Sequence, residues 1–128
     1  MAYASTVTFD SGPGPFLVIG ITETEAAAGS EVTITLHPSI RRFRILRQVC
    51  SLTSGTGTTV DPILGSATAP SGANVLIEND TAAADVDNSP ANGATCFAPA
   101  AVLYHRSVPD DATADHSITT EYHLEVLK

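Results

Sequence analysis

Between Ile118 and Val126 the chain alternates strictly. Ile118, Thr120, Tyr122, Leu124 and Val126 share one side, and Thr119, Glu121, His123 and Glu125 share the other. A period of two belongs to a strand with one face buried and one face wet. The pattern recurs at Val32, Ile34 and Leu36 against Thr33, Thr35 and His37, and at Tyr3, Ser5, Val7 and Phe9 against Thr6, Thr8 and Asp10. No stretch carries a convincing helical period. About eight such runs, separated by turn signals, predict an all-β chain: an antiparallel sandwich or barrel, jelly-roll-like or Ig-like. The length of 128 residues suits one domain, 1–128. With 43% hydrophobic and only 16% charged residues, a packed core is expected and disorder is not.

The turn Ser11-Gly12-Pro13-Gly14-Pro15 sets residues 1–10 apart, either as the first strand or as a docking arm. Residues 16–21 are a continuous apolar run and read as a strand covered on both faces. Glu25 to the serine at 30 reads as a loop. Residues 41–53 form a long strand, followed by short strands at 58–60, 63–68 and 74–78 and another near 101–107. The polar stretch 79–95, 17 residues in all, is long for a loop in a compact domain, so it is either functional or holds a short helical turn.

The long strand carries an anomaly. Four of the six basic residues lie within seven positions, Arg41, Arg42, Arg44 and Arg47, in a chain of net charge −8. With period two, Arg41, Phe43, Ile45, Arg47 and Val49 fall on one face and Arg42, Arg44, Leu46, Gln48 and Cys50 on the other. Neither face is wholly apolar, and a bulge that shifts parity midway would resolve this. Glu121 and Glu125 on the last strand are candidate internal partners, but exposed pairs of that kind are worth only about 0–1 kcal/mol. Arginine also suits interfaces, because its planar fork binds carboxylates through two hydrogen bonds. The cluster is therefore read as a subunit or partner contact, together with Tyr3, Val7 and Phe9 of the detachable first strand.

The acidic balance disfavours binding to nucleic acid or to anionic membranes, both of which need a broad basic face. Met1-Ala2-Tyr3 opens no secretory leader, so cytoplasmic synthesis is expected. Cys50 and Cys96 then read as two buried reduced thiols. The alternative, a disulfide, would close a long loop and stabilise by roughly 3–4 kcal/mol. No HExxH, GxSxG or Walker pattern is present, so neither catalysis nor a cofactor is expected. Asp85, Asp87, Asp110 and Asp111 lack the spacing of a calcium loop, and no metal is assigned to them. Asn79-Asp80-Thr81 matches a glycosylation pattern, which without a leader reads as chance.

A short, acidic, all-β chain that is rich in Ala, Thr and Gly, opens Met-Ala, and runs through Tyr3-Ala4-Ser5-Thr6-Val7-Thr8-Phe9-Asp10 and Val18-Ile19-Gly20 resembles the small decoration (cement) proteins of tailed-bacteriophage heads. The resemblance covers the whole chain in style and transfers no functional residue. It implies a virion structural protein on the capsid exterior, bound to the major capsid protein, often as a homotrimer, and reinforcing the shell. The rival expectations are another virion component, such as a tail or head-fibre domain, and a ligand-binding β-sandwich module. Aromatics at 5% with no tryptophan lower the second, because carbohydrate modules usually present exposed rings.

Overall fold

The computed structural model describes residues 3–11, 14–26, 30–40, 42–54, 60–68, 75–78, 85–88, 95–97, 102–109 and 115–127. Among these it has ten strands: β1 (Ala4–Ser11), β2 (Phe16–Ala26), β3 (Glu31–Thr35), β4 (Arg42–Ser54), β5 (Val60–Gly65), β6 (Val75–Glu78), β7 (Asp85–Asn88), β8 (Thr95–Phe97), β9 (Val102–Pro109) and β10 (His116–Leu127). Arg41, Asn79-Asp80-Thr81, Asp110, Asp111 and the side chains of Asp85, Asp87 and Cys96 lie outside the described residues.

All pairings are antiparallel. The first sheet runs β1-β2-β10-β4-β7, with β8 beside the other end of β4, and the second runs β3-β9-β5-β6. The pairs are nested along the chain: β2 with β10, β3 with β9, β4 with β7 and β8, β5 with β6. A long hairpin rolled onto itself produces this nesting, so the connectivity is that of a jelly roll. If β7 and β8 count as one interrupted strand and β1 as an added edge, eight strands form two four-stranded sheets. Neither sheet closes on itself, so the molecule is a sandwich and not a barrel.

The alternation read from the sequence is the alternation of burial. Leu17, Ile19 and Ile21 of β2, Phe43 and Ile45 of β4, and Tyr122 and Leu124 of β10 meet Val32, Ile34, Leu64, Ile77 and Leu103 from the opposite sheet. Each fully buried side chain of this size contributes about 1.5–3 kcal/mol. A smaller cluster of Ala26, Cys50, Val60 and Ile118 fills one end.

Three expectations change. Residues 16–21 are not covered on both faces, since Phe16 is 46% exposed and Val18 and Gly20 lie on the half-exposed outer side. The supposed loop at Glu25 is the end of β2, where an extra residue opposite β10 forms a bulge and Glu25 takes a φ of 55°. The long polar stretch holds β7, with no helical turn among its described residues.

Candidate interaction surfaces and a buried polar centre

The arginine strand owes its geometry to one skipped residue. His123 pairs with Arg47 and Leu124 with Ile45, so Leu46 is an extra residue on β4. Before the bulge Phe43 and Ile45 point inward, and after it Gln48 and Cys50 do. The parity shift anticipated from the pattern is present, and it corrects the two-faced assignment of the arginines. Arg42, Arg44 and Arg47 all project from the outer face of the first sheet. Arg44 lies 3.6 Å from Glu125 with its side chain 41% exposed, so solvent screens the pair to about 0–1 kcal/mol. Glu121 turns instead to His123, at 3.2 Å. Arg47 is exposed and Arg42 half-buried opposite Leu127. The cluster is thus an outward row on a rigid, centrally placed strand.

The first strand forms a second surface. β1 pairs along its whole length with β2, from Ala4 opposite Thr24 to Ser11 opposite Leu17. It lies flush because Gly20 leaves space: a Cβ there would sit 2.8 Å from the Thr8 hydroxyl oxygen. Yet β1 is exposed at every position except the half-buried Val7. Phe9 is 49% exposed. Phe9, Leu17, Leu36 and Ile40 line a recess of about 630 Å³ below it. The recess continues past Leu17 and Ile40 to Phe16 and Val126. Phe16 and Ile40 were not among the candidates read from the sequence, since an apolar residue left partly uncovered looks the same there as a buried one.

Tyr3 differs from Val7 and Phe9. Its hydroxyl donates to Glu23 Oε2 at 2.7 Å, and its half-buried ring packs on both core clusters, so it anchors the start of the first strand to the body.

Glu23 itself is the feature least visible in the sequence. It is fully buried between the sheets, with His105 and Ser107 of β9, Tyr122 of β10 and Gln48 of β4. Gln48 Nε2 lies 3.2 Å from the Tyr122 hydroxyl and 3.3 Å from the Pro62 carbonyl. Tyr122 lies 2.6 Å from His105 Nδ1. His105 Nε2 lies 3.2 Å from Glu23 Oε1 and 2.8 Å from Ser107 Oγ. Ser107 donates to Glu23 Oε1 at 2.8 Å. One proton assignment satisfies every donor: Gln48 to Tyr122, Tyr122 to Nδ1, and Nε2–H to the carboxylate. This requires a neutral imidazole protonated on Nε2. A proton on Nδ1 would turn the Tyr122 hydrogen away from its acceptor. Burial alone would push the Glu23 carboxyl up, but the hydrogen bond from His105, with those from the Tyr3 and Ser107 hydroxyls, outweighs it and holds the group below the usual range. Tyr122 is pushed well up, chiefly by burial. The serine, histidine and carboxylate have the chemistry of a nucleophilic set but are completely enclosed, so no substrate atom reaches them. What they provide is a fixed alignment of the two sheets.

The disulfide alternative is corrected. Cys50 is not in a disulfide and takes a hydrogen bond from Thr120 at 3.4 Å. Cys96 pairs opposite Phe43, seven positions along β4 from Cys50 and so about 23 Å away.

No protein-family model matches the chain, and no curated protein matches it in sequence.

Proposed function

We propose that this chain is a non-enzymatic virion structural protein that binds the outer surface of an assembled phage capsid and stabilises it, with the major capsid protein as its partner. The observation that carries the reading is the row of Arg42, Arg44 and Arg47, turned to one outer face by the Leu46 bulge on a chain of net charge −8. A rigid sheet that presents guanidinium groups is suited to carboxylates on a protein surface. The resemblance to decoration proteins points the same way. A ligand that binds only the assembled shell stabilises that shell by mass action, and repeated attachment lets modest contacts sum.

The test adds the protein to undecorated capsids and follows co-sedimentation and heat resistance. Arg42→Gln with Arg44→Gln is expected to weaken occupancy and to leave the melting of the isolated protein nearly unchanged, because the Arg44–Glu125 pair is solvent-screened. Equal occupancy by the double variant would remove the arginines from the interface.

A further inference from the structure

The two sheets differ in width by one strand. Leu17, Ile19 and Ile21 of β2 share one core cluster with Val32 and Ile34 of β3, and Phe9, Leu17, Thr35 and Leu36 line one recess. β1 continues the first sheet past β2, while among the described residues the second sheet ends at β3. Among the described residues β1 pairs only with β2, and β3 only with β9. Among the described residues the first sheet therefore carries a projection one strand wide above a recess one strand wide. The underside of the projection is the side that shares register with Ile19 and Ile21, and it presents Val7 and Phe9. An apolar underside with a strand edge beside it is a liability for a chain left alone, since open edges recruit other strands.

We propose that the recess is filled by a second copy of this chain. Half a turn about an axis along the strands, passing through the step, carries the first strand of one copy beneath that of the other. Each β1 then lies beside the β3 of its partner, and both sheets run through both copies. Val7 and Phe9 of one copy face the same residues of the other across the axis. The contact is isologous, the commonest form of subunit interface. Many strands would fit an open edge, but only another copy offers a projection whose width equals the recess and whose own recess needs filling in return. That self-complementarity selects the occupant. The ends of β1 and β3, Ser11 and Thr35, line the same cavity, so the two strands run in one direction and the new ladder is parallel. Parallel pairing is slightly weaker per residue, so burial of Phe9 and Val7 must carry much of the association.

The full chain is expected to sediment at twice its own mass at micromolar concentration, whether or not it binds capsids. Phe9→Asp is expected to weaken association at least about tenfold, with an unchanged circular dichroism spectrum because Phe9 is half exposed. Val7→Cys is expected to cross-link to itself through a short bis-maleimide spacer, since facing layers lie about 10 Å apart, too far for a direct disulfide, and to give a doubled band on a denaturing gel. This second variant decides the matter even if the first misfolds. A wild-type monomer would overturn the proposal. So would a trimer, the number implied by the family resemblance, a Phe9→Asp dimer of undiminished affinity, or a Val7→Cys protein that does not cross-link.

Discussion

Glu23 follows the apolar run within β2, and from the sequence it looks like the first charged residue after a core segment. In the fold it is a dry carboxylate with three hydrogen-bond donors. Its ionised form is favoured in the native state, so its folded pKa lies below its unfolded value of about 4.3. The sign follows. The stabilisation is full above the unfolded value and is lost as pH falls through the depressed one. Urea unfolding is expected to show stability falling as the pH drops below about 4.3. Glu23→Gln should lower neutral-pH stability by about 2–3 kcal/mol, because its amide hydrogens face hydroxyl donors, and should flatten the acid slope. A variant whose pH curve runs parallel to wild type would assign that slope to other carboxylates. Tyr122→Phe removes one of the two acceptors of Gln48 Nε2, leaving the Pro62 carbonyl, and turns His105 Nδ1 into an acceptor with no donor, at a cost of about 1–3 kcal/mol, read in the same titration. None of this was legible in the chain, because His105 and Ser107 lie 82 and 84 positions from Glu23, and no short motif encodes a contact that two sheets make by stacking.

The strands were far more legible than the contacts between them. β10 could be read residue by residue, because one of its faces is sealed and the other meets water, the condition under which period two appears. The same logic failed for β2, where Phe16, Val18 and Gly20 sit on an outer face without being polar, and an apolar outer face mimics full burial. β4 shows what a broken period means. Its two halves disagreed about which face was inside, and the disagreement located a bulge that the register places at Leu46. Deleting Leu46 tests this at the scale of the element. Without Leu46 the strand would run Phe43 in, Arg44 out, Ile45 in, Arg47 out, Gln48 in, so both halves share one alternation and the ladder to β10 closes without a skip. The deletion is therefore expected to keep cooperative thermal unfolding and the outward row of arginines, and Leu46→Ala, which keeps the extra residue, should also melt within a few degrees of wild type. Loss of cooperative unfolding in the deleted protein would mean that the parity of β4 does not turn on that residue.

At the scale of the molecule, two surfaces of opposite character sit on one rigid body. The outer face of the first sheet offers guanidinium groups, and the step beside β3 offers Val7, Phe9 and strands β1 and β3, each of which pairs with no second strand among the described residues. Charge contacts at an exposed surface are screened as the Debye length shrinks from about 10 Å at 0.1 M salt to about 3 Å at 1 M. Apolar burial gains or holds under the same change, most of all in sulfate. The two proposed contacts therefore separate in a salt series on one sample. Capsid occupancy is expected to fall steeply from low to high salt, while the sedimenting mass of the unbound protein stays at two chains. Arg42→Gln with Arg44→Gln should flatten the first curve and leave the second alone, and Phe9→Asp should do the reverse to self-association. Occupancy that ignores salt would mean that the capsid is held by apolar contact and that the arginine row does not face it. A dimer that dissociates as salt rises would place the arginines, rather than the step, between the two copies.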